Sequence, residues 1–227
     1  MSSTTETGES TTLVLNQCHH EKDLGVIIDE NLSFKEHVMQ ATSKANKIVG
    51  IIRRSFDYLD NKTFVLLFKS LVRPIIEYGN VVWHPQFKYL QQEIEDVQRR
   101  ATKLLSHLKD LSYSERLKKL GLPSLEHRRR RGDMLDVYKY LNNIYKTTSP
   151  EFHINRNRPQ RGNSFTLVKK RHRLSLRGNY FTERVVNDWN SLPENVVSAT
   201  SLNSFKARLD KFWEDLPTIH NPECYSV

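Results

Sequence analysis

Apolar residues recur along most of this chain at the spacing of a single helix face. Phe34, Val38, Ala41, Ala45, Ile48 and Ile52 follow at alternating intervals of four and three residues, which keeps them on one side of an α-helix. Just ahead of them Ser33 and Glu36 stand in the arrangement of a capping box, with Ser33 as N-cap and Glu36 reaching back to it. Asp60 opens a second helix that turns Phe64, Leu67, Phe68, Leu71 and Ile75 inward. Pro74 should kink or end it, since proline lacks an N–H and crowds the preceding turn. Gly79 then opens a loop, Asn80 to Pro85, that contains Trp83. A third helix carries Leu90, Ile94, Val97, Ala101, Leu104 and Leu108. A shorter one has a capping box at Ser112 and Glu115, a stripe of Tyr113, Leu117 and Leu120, and Gly121 as its C-cap. Ser124 caps a fifth, LEHRRRRGDMLDVYKYL, whose clear apolar face is Met134, Val137, Tyr138, Leu141 and Tyr145.

Elsewhere the pattern changes. The first ten residues are polar and low in complexity, as in disordered segments. Leu13 to Leu15 and Leu24 to Ile28 are short β-leaning runs, too few for an independent sheet, and read as the torn edge of something larger. After Ser149 and Pro150 the stretch Glu151 to Gly162 has no periodicity and reads as a linker. Ser164 to Leu176 alternates around KKRHR like a basic hairpin or edge strands. Two helices close the chain: Tyr180 to Asn190, with Phe181, Val185 and Trp189 inward, and Ser201 to Glu214, with Leu202, Phe205, Leu209 and Phe212 inward. Trp189 and Trp213 fit apolar stripes and read as core, whereas Trp83 can be core or surface. The expected fold is mainly α, with a small β element near the N-terminus and a short basic β-hairpin before two C-terminal helices. Its divisions are 1–23 (disorder or a strand remnant), 24–148 (a β end and the helical body), 149–163 (linker) and 164–227 (hairpin and closing helices).

Charge sharpens this picture. The net charge is +9 and unevenly placed: Lys44 to Arg54 carries four bases and no acid, and Arg99 to Arg131 carries 11 bases against 3 acids. Glu151 to Asn187 carries 9 against 2, while residues 1–43 are net acidic. Basic blocks separated in this way fit a polyanionic partner or an ordinary solvated surface. Cys18 and Cys224 lie near opposite ends, so no disulfide framework is implied and a reducing interior, nuclear or cytoplasmic, is expected. No signal-peptide pattern is read, and the apolar run Phe64 to Val72, broken by Lys69, falls well short of the roughly 20 residues of a membrane span. Membrane association is not expected.

Catalytic signatures are sparse. Polymerisation and most phosphoryl transfer use metals held by closely placed carboxylates, and the chain contains no Asp-Asp pair. Glu93, Glu95 and Asp96 fit the polar face of the third helix. No GxxxxGK[ST] loop and no GxSxG elbow occurs. Cys18, His19 and His20 lack a second ligand pair at zinc spacing. The expectation is a chain that is not an enzyme by itself, with no metal or cofactor.

Several blocks resemble, in order, the segment that follows the catalytic core in reverse transcriptases of jockey-type non-LTR (LINE-like) retrotransposons: DLGVIIDENLSFKEHV, KANKIVGIIRR, LFKSLVRPIIEYGNVVWHP and IEDVQRRATKLL. YSERLKKLGLPSLEHRRRRGDMLDVYKYLN continues the likeness and NYFTERVVNDWNSLPENVVSATSLNSFKARLD closes it, so that it runs from Leu24 to Asp210. In that family the fingers and palm, with a Tyr/Phe-x-Asp-Asp metal site, lie upstream of DLGV, and some members carry a C-terminal zinc knuckle; neither pattern is present here. The resemblance implies that Leu24 to Ile28 matches the end of a palm and that Ser33 to about Leu108 matches a thumb. The thumb would hold an RNA or RNA–DNA template–primer while a fingers and palm region performs chemistry.

The candidate contacts follow from the basic sets. Lys44, Lys47, Arg53 and Arg54 lie near or beside the first helix's stripe, and Arg99, Arg100 and Lys103 flank the third's. Lys169, Lys170, Arg171 and Arg173, with His172 and Arg177, lie close to Tyr180 and Phe181 in the manner of a single-strand binding surface. In the arginine run, Arg129 is placed to pair with Asp133 at (i, i+4), leaving Arg128, Arg130 and Arg131 without close acidic partners in sequence. Phosphate contact, a snorkelling collar around the core and a nuclear-import signal all suit such a run. Two functions therefore stand: a nucleic-acid grip, or a transposon-derived helical module that meets acidic protein partners.

Overall fold

The β-leaning run near the N-terminus folds back on itself. In the computed structural model, which describes residues 18–146, 152–155, 163–214 and 216–225, β1 (His20–Asp23) pairs antiparallel with β2 (Val26–Asp29), His20 opposite Asp29 and Asp23 opposite Val26. Leu24 and Gly25 both have positive φ, 43° and 88°, as two-residue hairpin loops with primed turns require. The second strand thus begins at Val26, because Leu24 belongs to the turn, and its partner is His20–Asp23; Leu13 to Leu15 lies outside the described residues.

Asp29, at the end of β2, starts the next helix. Its carboxylate accepts from the backbone N–H groups of Asn31 (3.1 Å), Ser33 (3.0 Å) and Phe34 (2.7 Å). Burial opposes its ionisation, but these bonds outweigh that effect and hold its pKa below the usual value. The capping box expected at Ser33 and Glu36 is not formed: Phe34, with φ 54°, is the N-cap of α1 (Lys35–Ser55) and makes no side-chain cap bond. The second predicted helix continues past its proline. α2 (Asn61–Leu67), capped by Asp60, passes into a π turn (Phe68–Val72) and then α3 (Arg73–Glu77), with Pro74 in its first turn. A π turn inserts one extra residue, so the inward face slips by one. Val72 and Ile76 are buried where Leu71 and Ile75 were expected, and Leu71 is exposed.

Asn80 to Trp83 forms a short α4 rather than a loop, and Trp83 is fully buried, its Nε1 donating to Tyr78 O. α5 (Lys88–Thr102) ends before Lys103, so that Leu105 is buried in place of Leu104. A 3-10 turn (Ser106–Leu108) leads to α6 (Tyr113–Leu120), whose capping box forms as expected, and then to α7 (Leu125–Leu141). The first core gathers Val38, Ala45, Phe64, Phe68, Trp83, Leu90, Val97 and Leu117, and ends at Leu125.

A second core begins further along the same helix. Met134, Val137 and Tyr138 pack with Leu167, Val185, Trp189, Val196, Phe205 and Leu209. α7 thus runs through both cores. Most of the linker expected at 149–163 lies outside the described residues; of those described, Phe152 and Ile154 pack against the second core. The hairpin expected over Ser164 to Leu176 is not present. One antiparallel bridge joins Ile154 to Leu167, and Lys169 to Arg173 runs without regular structure. Short helices follow, α8 (Ser175–Gly178), α9 (Phe181–Arg184), α10 (Val186–Asn190) and α11 (Glu194–Val197), before α12 (Leu202–Trp213). The single helix read from Tyr180 to Asn190 breaks at Val185, and on α12 Trp213 is buried whereas Phe212 is exposed. Mainly helical architecture with one small antiparallel sheet is the result. Among the described residues no helix is long and apolar enough to cross a membrane.

Candidate nucleic-acid interface

The four consecutive arginines are not presented to solvent as a free row. Arg129 is 1% exposed and donates to Glu126 at 2.6 Å, three residues away, rather than to Asp133. Asp133 instead accepts from Arg184 of α9 at 2.9 Å. Arg128 engages both carboxylate oxygens of Glu77 on α3, with Nη2 at 2.8 Å. Arg130 donates to Glu126 at 3.2 Å and lies 3.5 Å from Asp188 of α10. Arg131 makes a two-bond pair with Asp210 of α12, at 2.6 and 2.7 Å. The expectation that Arg128, Arg130 and Arg131 lack acidic partners close in sequence is corrected for Arg130, which bonds Glu126 four residues before it; Glu77, Asp188 and Asp210 are partners remote in sequence and close in space. Burial raises the pKa of Glu126, but the neighbouring positive groups, Arg129 first and Arg130 among them, together more than offset it and hold that carboxyl down at about 2.

A further carboxylate, that of Glu95, expected on the polar face of the third helix, is buried instead and completes this joint. Glu95 is 2% exposed and accepts from Leu125 N (3.0 Å), Glu126 N (3.3 Å) and Tyr113 Oη (2.5 Å). It therefore supplies acceptor oxygens at the N-terminus of α7, where the first N–H groups have no helical acceptor, and burial raises its pKa against the pull of these bonds. Ser124 takes the next N–H, that of His127. The hint in the sequence was its position beside Ile94 and three residues before Gln98, which is also buried.

The cations of the first and third helices have a different setting. α1 and α5 pack against each other, and their shared rim carries two adjoining hollows of ≈ 730 and ≈ 840 Å³ that have Asn46, Gly50 and Arg100 in common. Lys47 and Arg54 line the first hollow with Arg100; Arg53, Lys103 and Lys109 line the second. Lys47, Arg53, Arg54, Arg100 and Lys103 are all exposed. Among the described residues none of the five has a carboxylate within ion-pair distance, although Glu93 and Asp57 each line one hollow. Arg100 Nε donates to Asp96 O at 3.2 Å, which steadies it on the rim. The fold thus unites members of two sets that lie about fifty residues apart in sequence and adds Lys109. Lys44 bonds Gln40 and does not line the hollows. Arg99 turns away, lying 4.9 Å over the Tyr113 ring and 3.7 Å from Asp96.

The third set forms a separate surface on the second core. Lys169 donates to Asn187 Oδ1, the Lys170 backbone N–H to Glu183, and Arg171 and Arg173 are exposed. Arg177 lies 5.0 Å over the exposed Tyr180 ring. The His172 ring rests against Gly178, where a Cβ would meet its Nε2 at 2.5 Å. At the other end of the chain Cys18 is exposed, and His19 and His20 sit 3.3 and 3.5 Å from Glu30 and Glu36. Among the described residues, no three His, Cys, Asp or Glu side chains gather as metal ligands.

No family model matches the chain, and no solved structure matches it. Uncharacterized protein B0403.1 of Caenorhabditis elegans is 24% identical over 135 residues. The match covers 58% of this chain and 64% of that protein, so the chain spans less than two thirds of its relative's length. The likeness carries no functional assignment.

Proposed function

We propose that the chain is a non-catalytic, nucleic-acid-binding piece of a non-LTR retrotransposon reverse transcriptase, acting inside the cell, whose helical body grips the phosphates of an RNA or RNA–DNA template–primer while a fingers and palm region elsewhere adds nucleotides. The observation that carries this reading is the α1 and α5 rim, where five exposed cations share one groove without carboxylate partners among the described residues. Cations left unpaired retain their full attraction for phosphate, and such contacts position a strand without reading its sequence. The ordered sequence blocks that resemble the region after the catalytic core point the same way. The arginine run has a structural part in this reading, because its carboxylate partners already neutralise it.

Fluorescence anisotropy with an RNA–DNA hybrid, titrated with salt, tests the proposal. Log affinity should fall with log salt by roughly 0.7 to 0.9 per phosphate contact. Replacing Arg53, Arg54 and Lys103 together by Gln should flatten that slope by about two to three, whereas Arg131→Gln with Asp210→Asn should leave it unchanged. Absence of binding at low salt overturns the reading. It would favour instead a transposon-derived protein–protein module, which the exposed apolar side chains of Leu66, Leu71, Tyr78 and Val82 support.

A further inference from the structure

The groove differs between its two ends. The first hollow is lined, besides its cations, by aliphatic and small polar groups such as Met39, Ile51 and Ser43, whereas the second ends in Phe56 and Tyr58. Tyr58 is 76% exposed and Phe56 40% exposed, and among the described residues neither ring stacks on another aromatic. Their loop is anchored: Leu59 packs against the first core, and Asp60 accepts from Lys62 N (2.8 Å) and Thr63 N (3.1 Å) at the start of α2. Arg53, Lys103 and Lys109 line the same hollow. An exposed aromatic face on an anchored loop beside cations is the composition of a stacking platform, with the cations on phosphates and the ring on a base. Inside a duplex both faces of every base are covered by neighbours, so a ring at the groove's rim reaches only a base that is unpaired or terminal.

Resting on the groove reading, we propose that the Phe56 and Tyr58 end of the groove takes one unpaired base, so that the ligand seated there is a duplex with a single-stranded extension rather than an uninterrupted duplex. Asp57, between the two rings in sequence and lining the same hollow, suits this occupant: it repels a phosphate lodged at the ring end and can accept from a base amine or ring N–H.

Three probes separate the possibilities with the full chain in anisotropy: a blunt RNA–DNA hybrid, the same hybrid with a short RNA overhang, and the same overhang made abasic, which keeps its phosphates and removes its bases. The native chain should bind the base-bearing overhang about tenfold more tightly than the abasic one, as one stacked base contributes. Tyr58→Ala should erase that ratio and Tyr58→Phe should retain it. Replacing Arg53 and Lys103 by Gln should weaken all three probes alike. Equal affinity of the native chain for the base-bearing and abasic overhangs, or a ratio that persists in Tyr58→Ala, overturns the platform while leaving the phosphate groove standing. Failure to bind any probe overturns both.

Discussion

A buried carboxylate is tolerated only where its oxygens are answered by donors. Glu95 meets that condition with two backbone N–H groups of α7 and the Tyr113 hydroxyl. Glu95→Ala should therefore strand several donors and lower stability by roughly 3 kcal/mol, read as a lower urea midpoint at unchanged denaturant dependence. Glu95→Gln, which keeps one acceptor oxygen, should cost less. His84 offers a pH readout from the same region. Burial first, and the positive charge of Arg184 second, push its pKa down to about 3. An unfolded histidine titrates near 6.5, so as pH falls the unfolded chain takes up this proton while the folded chain refuses it. The stability that a neutral His84 contributes is complete above about pH 6.5 and is lost as pH falls toward 3. Asp133, 3.8 Å away, works in the opposite sense, because burial, against the pull of Arg184, raises its carboxyl to about 7. The native slope mixes the two, so the difference between native and His84→Gln is the measurement that isolates the histidine. Between pH 6.5 and about 4 the variant should lose stability less steeply on acidification, by about 1.4 kcal/mol per pH unit.

Among elements, α7 shows why a charge run cannot be read from its own segment. Arg129 and Arg131 are two residues apart, yet one is buried on Glu126 and the other sits at the surface on Asp210. Arg129→Met should leave the Glu126 carboxylate buried with less compensation and cost about 3 to 5 kcal/mol. Arg131→Ala breaks a half-exposed pair and should cost at most about 1 kcal/mol; chemical denaturation of the two variants side by side checks the contrast. That contrast was not legible in the sequence, since Glu77 lies 51 residues from Arg128 and Asp210 lies 79 residues from Arg131. The existence of the long helices was legible, because alternating intervals of four and three apolar residues leave few other periods open. Their details failed where a local event shifted the register: the π turn beside Pro74 moved burial from Leu71 to Val72, and Phe34, its N–H held by the Asp29 carboxylate, took the N-cap position of α1 in place of Ser33. The four-residue helices α8, α9 and α11 are too short for any periodicity to announce them. For the groove, sequence placed Lys47, Arg54 and Arg100 beside apolar stripes, but that α1 and α5 share a rim is a property of the fold.

At the scale of the whole molecule, the two cores are coupled through one uninterrupted helix. Leu125 belongs to the first core and Met134, Val137 and Tyr138 to the second. The C-terminal turn also returns to the start of α7, with Ser124 N donating to Ile219 O at 2.7 Å. Tryptophan reports each core separately, since Trp83 is buried in the first and Trp189 and Trp213 in the second. A Trp83→Phe variant and a Trp189→Phe, Trp213→Phe variant, each keeping the reporter of one core, should unfold in urea with coincident midpoints when compared with circular dichroism of the same protein. Gly132 lies within α7 between the two sets of core residues, and a Cβ built there meets nothing within 4 Å. Gly132→Ala should accordingly stabilise by about 0.5 to 1 kcal/mol through reduced backbone freedom, raising both midpoints together. Gly132→Pro removes an N–H from the middle of the helix and crowds the carbonyl four residues earlier, a cost of roughly 3 kcal/mol or more. If α7 is the coupling element, the two tryptophan transitions should separate in that variant. Two separate transitions already present in the native chain, or coincident ones in Gly132→Pro, would show that coupling resides elsewhere.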